Sequence, residues 1–305
     1  MNNEQKLKNL SVPSGKIDVV LDTDAYNEID DQFAIAYLLS CKEKLNTKAI
    51  YAAPFFNKNS SGPADGMEKS YDEIFKVLSL MVEDVPVLKG STDFLENEST
   101  PIISPAALDL LERAKRYSPE NPLYVIAIGA ITNIASAILI EPMVAENTVV
   151  VWLGGHAIHV DHTKEFNMRQ DIAAARVVMG SGVPFVQLPC KGVVSSFTIS
   201  KPELEFWLKG KNKISDYLAE NAIRCAESYA SQTAWTRCIW DVTAIAWLMN
   251  DSDIFMESQI LPLHLPDYSH RYEFIPDGHP IRYVYYIKRD TLMTDLLRRI
   301  SSKIG

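Results

Sequence analysis

The chain has 305 residues, of which 47% are hydrophobic and 23% are charged, and these fractions exclude a largely disordered chain. The formal net charge of −9 argues against nucleic acids and anionic membranes as partners, because their phosphates would be repelled. A small neutral substrate fits this charge better. The four cysteines have no metal-type spacing and lie in apolar surroundings, so we predict reduced thiols in or near the core.

No linker divides the chain, and we predict one domain over residues 1–305. Residues 1–15 are polar and are predicted to form a flexible extension. The first residues lack the apolar core of a signal peptide, and no stretch reaches the roughly 18 apolar residues that a membrane span requires. We therefore expect a cytoplasmic protein that has no membrane partner.

An acidic loop between a strand and a helix is the most informative feature of the sequence. An apolar β-branched run over 17–21 predicts the strand, and apolar residues at helical spacing over 33–39 predict the helix. Four carboxylates lie between the two patterns: Asp22, Asp24, Asp30 and Asp31. The first two point to one face because they are two residues apart at a strand end, and the last two open the helix, where its dipole favours anions.

Four like charges in one loop would repel one another unless a cation lies among them. Carboxylate oxygens suit Ca²⁺ or Mg²⁺, and the loop contains no Cys or His that would favour zinc. In a simpler interpretation one aspartate caps the helix and the others are solvated, but a cap uses one acidic side chain where this loop supplies four. We therefore predict a metal site at the carboxyl end of the strand, where open α/β sheets bind their ligands.

The rest of the chain alternates between predicted strands and helices. Further strands are predicted over 47–54, 86–90, 123–129, 149–153 and 183–189, and an edge strand after Pro280 over 281–287. Further helices are predicted over 67–82, 105–116, 214–232 and 292–300, and one that begins at Thr132. This alternation indicates an α/β fold with a mostly parallel, Rossmann-like central sheet that is flanked by helices on both faces.

Half of the six histidines lie in one seven-residue loop after a predicted strand: His156, His159 and His162. Their spacing is not the H-E-x-x-H of a zinc helix, and the preceding glycine pair, Gly154-Gly155, argues against a helix here. We expect His156 and His159 to line a pocket instead, where either could donate a proton.

Two further polar residues require an explanation. Asp241 is a lone acid in an apolar pattern with helical spacing, and because burial of an unpaired carboxylate is expensive, we expect it to have a partner. Asn57 follows the second predicted strand, where it either forms a turn or reaches a site at the strand ends. The residues alone leave these two roles of Asn57 open.

Four segments resemble motifs of the nucleoside hydrolase family. The acidic loop resembles D-x-D-P-G-x-D-D, but residues 25–29 stand where the family has three residues, so the loop is two residues longer. Residues 165–175 resemble E-F-N-x-x-x-D-P-E-A-A, and residues 240–246 resemble H-D-P-x-A-x-A with Trp240 in place of the histidine. The strand that ends at Ile128, with the T-N-I-A run after it, resembles a further family strand. The glycine-rich HG loop that closes over the substrate in many members is not found.

The resemblance implies an enzyme that hydrolyses the N-glycosidic bond of ribonucleosides with the help of Ca²⁺. It also implies a homodimer or homotetramer with a small nucleoside substrate. The implied calcium ligands are Asp24, Asp31, Asp241 and the backbone carbonyl of Ile128. Asp24 would in addition be the base that takes a proton from water.

The same resemblance assigns ribose contacts to four residues: Asp30, Asn57, Glu165 and Asn167. Trp240 would stack on the base, but a tryptophan cannot supply an acidic proton as the family's histidine does. Either His156 or His159 would then protonate the leaving base, or the enzyme would favour leaving groups that need little help. Asp22 would hold its neighbours by hydrogen bonds or reach the metal.

Two other functions are compatible with the sequence. A phosphohydrolase of the haloacid-dehalogenase type also places D-x-D after its first strand and binds Mg²⁺. Its motif is usually followed by Thr or Val, where this chain has Ala25, and its later Lys and paired Asp are not found. A non-catalytic ribose- or nucleoside-binding protein is the other possibility, because the longer loop and Trp240 depart from the family, although the carboxylates needed for turnover are present.

Overall fold

The structure, a computed structural model, describes residues 1–302. These residues contain twelve β-strands, eight of them in one central sheet and four in two small antiparallel pairs: β1 (Ile17–Thr23), β2 (Leu45–Ala52), β3 (Val87–Lys89), β4 (Leu123–Ala127), β5 (Thr148–Leu153), β6 (Phe185–Leu188), β7 (Thr198–Ser200), β8 (Thr236–Cys238), β9 (Met256–Leu261), β10 (His264–Pro266), β11 (Tyr272–Phe274) and β12 (Ile281–Ile287).

The same residues contain twelve α-helices: α1 (Asn3–Asn9), α2 (Asp31–Ser40), α3 (Pro63–Met81), α4 (Pro105–Ala114), α5 (Thr132–Ile140), α6 (Met143–Asn147), α7 (Phe166–Gln170), α8 (Ile172–Gly180), α9 (Lys201–Trp207), α10 (Lys213–Ala230), α11 (Val242–Leu248) and α12 (Arg289–Ser301). The predicted α/β fold with a mostly parallel, helix-flanked sheet is therefore confirmed. Most predicted strands and helices are present and differ only by a few residues at their ends.

The central sheet has the strand order β3-β2-β1-β4-β5-β6-β12-β9. Neighbouring strands are parallel throughout, except that β9 runs antiparallel to β12. The chain order reverses at β1, which pairs with β2 on one side and with β4 on the other. Open α/β sheets bind ligands outside the carboxyl ends of the strands at such a reversal. The acidic loop follows β1 and therefore lies at this position.

Two hydrophobic clusters pack on the two faces of the sheet. Val19 and Leu21 belong to one cluster and Val20 belongs to the other, as expected because successive side chains of a strand point to opposite faces. Helix α2 is buried almost entirely, with nine of its ten residues inaccessible to solvent. Asp31 and Gln32 are the polar residues among them, so the first turn of α2 holds polar groups inside the protein.

Two parts of the sequence-based fold need correction. The strand after Pro280 is not an edge strand, because β12 lies between β6 and the unpredicted antiparallel strand β9, which takes the edge instead. Residues 1–15, predicted to be a flexible extension, contain α1 and pack on the domain. Leu10 is fully buried, and the side-chain amide of Asn9 donates to the carbonyl oxygen of Pro119 at 2.8 Å.

All four cysteines are free thiols, and Cys41 and Cys190 are buried while Cys225 and Cys238 are half-buried, in agreement with the prediction. Burial raises the pKa of the Cys41 thiol to about 12, and burial together with the charge of Glu165 raises the pKa of Cys190. These thiols are therefore protonated at neutral pH. Within residues 1–302, no helix is both long and apolar enough to cross a membrane.

Candidate active site

A cavity of about 220 Å³ opens at the carboxyl ends of the central strands. Its walls come from the acidic loop (residues 22–31), from the ends of β4, β5 and β6, from the histidine loop (residues 156–162) and from the residues that precede α7 and α11. The lining residues are Asp24, Asn27, Glu28, Asp30, Asp31, Ile128, Leu153, His156, Lys164, Glu165, Phe166, Asn167, Cys190, Lys191, Trp240 and Asp241. Most of the predicted site residues are thus brought together.

Three carboxylates form the floor of the cavity. Oxygens of Asp30, Asp31 and Asp241 lie within 4.8 Å of one another, and all three residues are buried. They meet because α2 begins at Asp31, α11 begins directly after Asp241, and the two helices pack together. The hydroxyl of Thr23 at the end of β1 donates to Asp31 Oδ1 at 2.5 Å and fixes its orientation. The neighbours of Asp241 are thus carboxylates, which raise the cost of its charge instead of offsetting it, so the expected partner would be a cation held among them.

Asp24 joins these three carboxylates, and we call the four together the acidic cluster. Its side chain is buried, and its Oδ2 has no hydrogen-bond partner in residues 1–302. Gly129 at the end of β4 leaves room for it, because a Cβ at this position would lie 3.2 Å from the Asp24 carboxyl carbon, closer than an ordinary contact. Asp24 thus presents a free oxygen in a water-poor setting, as a general base requires.

Burial raises the pKa of every carboxyl in the acidic cluster, because the charged form loses its hydration. The pKa of Asp31 rises to about 7, against an opposing hydrogen bond from Thr23. The pKa of Asp24 is raised first by burial and then by the charges of Asp31 and Asp30, and the pKa of Asp241 is raised by the same causes. Without a cation, the cluster therefore retains protons near neutral pH.

The acidic cluster fits a hard divalent cation. Its donors are carboxylate oxygens without any sulfur or nitrogen, and such oxygens suit Ca²⁺ or Mg²⁺. Ile128, whose backbone carbonyl is a predicted ligand, lines the same cavity, and its carbonyl oxygen accepts a side-chain hydrogen bond from Asn167 Nδ2 at 3.1 Å. The unpartnered Oδ2 of Asp24 adds a further donor. Two or more positive charges here would remove the repulsion that raises these pKa values.

Asp22 lies behind this site and does not line the cavity. Its Oδ1 accepts a hydrogen bond from Asn133 Nδ2 at 2.7 Å, and Asn133 Oδ1 accepts in turn from the backbone and hydroxyl of Ser91. Burial raises the pKa of Asp22 to about 7, and the hydrogen bond from Asn133 opposes this shift. Of the two roles left open by the sequence, the contacts support the one in which Asp22 holds its neighbours.

The opposite wall contains Glu165 and Asn167. Both oxygens of Glu165 already accept backbone hydrogen bonds, from Asn167, Met168 and Gly155 at 2.9 Å each, and Glu165 caps α7. The Nδ2 of Asn167 donates to the carbonyl oxygens of Ile128 and Leu153 at the ends of β4 and β5. These contacts orient the Asn167 amide toward two strand ends, whereas the Glu165 carboxylate is largely occupied by the local backbone.

The predicted sugar contact Asn57 does not line the cavity. Asn27, from the two-residue-longer acidic loop, lies there instead, and Asn57 Nδ2 donates to Asn27 Oδ1 at 2.5 Å. Asn59 also donates to the Asn27 backbone carbonyl at 2.9 Å. The extra loop length carries an amide into the cavity ahead of Asn57, so Asn57 supports the site through Asn27.

The same loop forms an ion pair beside the cavity. Glu28 accepts from Arg237 on β8 at 3.1 Å, and Arg237 also donates to Tyr229 at the end of α10. Glu28 is half-exposed, so this pair contributes little to stability. Its negative charge adds to the field on Asp30 and raises the pKa of that carboxyl further.

His156 and Trp240 line the cavity, whereas His159 does not. His159 is exposed and lies beside Gly192, where a Cβ would come within 3.0 Å of its ring. The backbone N–H of Lys191 donates to His156 Nδ1 at 3.3 Å, so the neutral ring carries its proton on Nε2. Burial, together with the proximity of His162 and Lys191, lowers the pKa of His156 to about 4.

The sequence did not identify several lining residues. Asn27 and Glu28 were inside the unusual loop, and its extra length was the signal that could have revealed them. Lys164 precedes Glu165, and Phe166 follows it, so their place beside a recognised motif was a second signal. Nothing in the local sequence of Lys191 indicated the cavity, because that residue arrives by the packing of β6 against β5.

Comparisons with known proteins agree with this geometry. A family model described as inosine-uridine preferring nucleoside hydrolase matches residues 19–274. The non-specific ribonucleoside hydrolase RihC of Salmonella schwarzengrund is 28% identical over 271 residues, which cover 80% of this chain and 82% of that protein.

Two solved structures share the fold. The plant nucleoside hydrolase PpNRh1 has a TM-score of 0.76 at 16% identity, and the match covers 95% of this chain and 100% of the plant protein. The purine-preferring ribonucleoside hydrolase of Gardnerella vaginalis has a TM-score of 0.75 at 19% identity, and the match covers 93% of this chain and 98% of that protein. Because the family model spans most of the chain and includes the acidic cluster, the chain belongs to the inosine-uridine preferring nucleoside hydrolase family of enzymes.

Proposed function

We propose that this protein hydrolyses the N-glycosidic bond of ribonucleosides with Ca²⁺ as its metal, and releases ribose and a free base. The observation that carries the proposal is the acidic cluster, in which four buried carboxylates face one cavity of nucleoside-compatible character. Burying four carboxylates costs folding free energy unless a cation balances their charge. Such clusters of perturbed acids are typical of functional sites.

Asp24 is the base in this scheme. Its free Oδ2 would take a proton from the attacking water, and a bound cation would keep the carboxylate ionised for this role. A bound Ca²⁺ would lower the pKa of water at the site and hold ribose hydroxyls. Asp24, Asp31, Asp241 and the Ile128 carbonyl would hold the ion.

The sugar would lie between the acidic cluster and the wall that contains Asn167. Asp30 and Asn167 have polar atoms at the cavity, and Asn27 adds an amide from the longer loop. Glu165 would act mainly by holding α7, because its oxygens already accept backbone hydrogen bonds. The negative surroundings would stabilise the positive charge that develops on ribose as the bond to the base breaks.

The leaving base would lie against Trp240, whose ring can stack on it, with His156 nearby. A pKa of about 4 makes His156 neutral at pH 7, so it would act by donating a hydrogen bond from Nε2 rather than by carrying a full proton. His159 lies outside the cavity and is the weaker candidate for this role. Leaving groups that depart without protonation should therefore be favoured.

The family resemblance also supports a homodimer or homotetramer and a cytoplasmic location, and light scattering tests the first of these. Membership of the nucleoside hydrolase family sets aside the haloacid-dehalogenase alternative. A non-catalytic nucleoside-binding protein remains the second candidate, because Trp240 replaces the histidine of the family motif.

The test is an assay of ribose released from inosine and uridine, before and after removal of metal by a chelator and again after addition of Ca²⁺. We expect turnover that disappears with the chelator and returns with Ca²⁺. Asp24→Asn serves as the matched variant, because it keeps the side-chain shape and removes the base. If nucleosides bind to the wild-type protein but no ribose appears with any divalent cation, the binding-protein alternative replaces the proposal.

A further inference from the structure

A second, open groove adjoins the active-site cavity and has a different electrostatic character. It is lined by Lys164, Phe166, Arg169 and His270, and its volume is about 520 Å³. Lys164 and Phe166 line the active-site cavity as well, so the two spaces share a wall. The groove is therefore adjacent to the cavity, and these two side chains lie between the two spaces.

The groove is cationic in a protein whose net charge is −9. Lys164 and Arg169 are exposed and make no ion pair within residues 1–302, although Arg176 nearby pairs with Glu98 at 2.6 Å. No carboxylate lines the groove. An anion placed there would find two free cations and no opposing charge on its walls.

The groove is also a built feature of the fold. The guanidinium of Arg169 lies 5.3 Å from the ring centroid of Phe166, an arrangement that orients the guanidinium and leaves its N–H groups available. His270 adopts a left-handed backbone conformation with φ of 63°, and its carbonyl oxygen accepts from the backbone of Thr163 at 2.8 Å. A left-handed backbone conformation is strained for a residue other than glycine. The hydrogen bond to Thr163 connects the turn at His270 to the residue that directly follows the histidine loop.

Three buried polar atoms without partners in the described part of the chain belong to His270, which lines the groove, and to Thr163 and Gln170, which are next to lining residues in the chain. His270 Nδ1, Thr163 Oγ1 and Gln170 Nε2 are buried and have no hydrogen-bond partner in residues 1–302. Thr163 is completely buried, and Gln170 ends the helix that carries Arg169. Buried polar groups without partners are uncommon in native proteins, and a polar ligand or its water is one way to satisfy them.

The position of the groove relative to the sugar identifies the chemistry of the anion. The vicinal hydroxyls of ribose are suited to the acidic cluster and its cation, so C5′, on the other edge of the ring, would face the wall that contains Glu165 and Asn167. Lys164 directly precedes Glu165 in the chain. A substituent on C5′ would therefore point toward Lys164 and the groove.

We propose that this groove binds a phosphate group on C5′ of the ribose, so that the enzyme accepts nucleoside 5′-monophosphates in addition to, or in preference to, nucleosides. This inference rests on the proposed function. It explains how an anionic substrate could approach a cavity floored by carboxylates, because Lys164 and Arg169 offset their repulsion where the phosphate would lie.

The experiment compares kcat/KM for inosine and inosine 5′-monophosphate in the wild-type holoenzyme and in Arg169→Glu. We expect the wild type to hydrolyse the monophosphate, with a rate that falls as NaCl is raised from low to high concentration while inosine is little affected. Arg169→Glu should lower the ratio of monophosphate to inosine kcat/KM by at least about 10-fold, because a hydrogen-bonded charge is replaced by a repelling one. Lys164→Ala should lower the same ratio.

Arg116→Glu is the matched control, because Arg116 is exposed and lies between α4 and β4 at the amino ends of the strands, far from the groove. It should leave the ratio unchanged. A wild-type enzyme that cleaves inosine but rejects the monophosphate would overturn the inference and leave the proposed function intact, and so would an Arg169→Glu ratio equal to that of the control.

A binding measurement separates the two hypotheses if the protein cleaves neither substrate. Calorimetry would compare ribose 5-phosphate with ribose, on wild type and on Arg169→Glu. Binding of ribose 5-phosphate at least about 10-fold tighter than ribose, lost in Arg169→Glu, would support the phosphate site although the proposed hydrolysis had failed. Equal binding of the two sugars would refute the phosphate site.

Discussion

Calcium affinity should depend strongly on pH, because the acidic cluster must lose its protons before it can hold the ion. The change to apply is a shift from pH 8.0 to pH 5.5 on protein from which metal has been removed. Asp31, with a pKa of about 7, is ionised at the higher pH and mostly protonated at the lower one. Its ionisation at pH 5.5 costs about 2 kcal/mol, at roughly 1.4 kcal/mol for each pH unit below the pKa. Asp31 alone should therefore weaken calcium binding by about 30-fold at pH 5.5.

The folding stability of the metal-free protein should also depend on pH through buried carboxyls. The pKa of Asp31 and that of Asp22, each about 7 in the folded protein, lie above the value of about 4 expected when the chain is unfolded. Between these two values the folded state binds more protons than the unfolded state, so the metal-free protein should lose stability as pH rises from about 4 to 7. Calcium should offset this loss, and its effect on Tm should be larger at pH 8.0 than at pH 5.5.

The pH dependence of calcium affinity is measured by calorimetric titration with Ca²⁺ at pH 8.0 and at pH 5.5. Each titration is repeated in two buffers with different ionisation enthalpies to count the released protons. We expect more protons to be released on calcium binding near pH 6 than at pH 8, because Asp31 is mostly protonated at the lower pH and mostly ionised at the higher one. Asp241→Asn should weaken binding at both pH values, whereas Asp84→Asn, an exposed acid far from the cluster, should not. Equal affinity at the two pH values, with no proton release, would refute the reasoning that these carboxyls are the ligands.

Three further predictions concern turnover. Asp24→Asn and Asp241→Asn should each lower kcat by about 10²-fold or more, since both weaken the metal site and the first also removes the base; wild-type kcat for Asp24→Asn in a ribose-release assay would require another base. Asn27→Ala should lower kcat/KM more than Asn57→Ala does, by about 10-fold against a few-fold, because only Asn27 lines the cavity, and the opposite order would restore Asn57 as the sugar contact. His156→Ala should lower kcat/KM for inosine by about 10²-fold and spare p-nitrophenyl riboside, whose leaving group departs unprotonated; an equal loss on both would mean that His156 only shapes the pocket.

The acidic cluster was largely predictable because its members come from short motifs at strand ends. A parallel sheet brings the ends of its strands to one edge, so Asp24 after β1 and Ile128 after β4 must be neighbours once the fold is known. That Asp241 belongs to a charged site is predictable, since a lone acid in an apolar helix requires compensation, but its neighbours are carboxylates and the compensating cation is only proposed. The identity of these neighbours depended on the packing of α11 against α2, which no local pattern encodes.

The predictions for residues in loops were less accurate, because loop geometry depends on contacts that are distant in sequence. The position of Asn57 after β2 predicts a sugar contact, but Asn27 from the acidic loop lines the cavity and Asn57 contacts Asn27 behind it. Glu165 was assigned to the sugar from its motif, yet its oxygens accept from Gly155 and from the first turn of α7. The edge-strand assignment of β12 failed for a similar reason, because only the complete sheet shows that β9 adds beyond it.

The two extra residues of the acidic loop connect several of these departures. They allow Asn27 to enter the cavity and place Glu28 where it pairs with Arg237 on β8. The sequence has no HG loop to cover the substrate. The ion pair between Glu28 and Arg237 joins the acidic loop to β8, and its strength is that of a weak surface contact. Breaking an exposed ion pair costs about 1 kcal/mol or less, so this contact restrains the loop only weakly. The longer loop therefore brings Asn27 to the cavity and is connected to β8 through Glu28, and under the proposed function the Asn27 amide would contact the sugar.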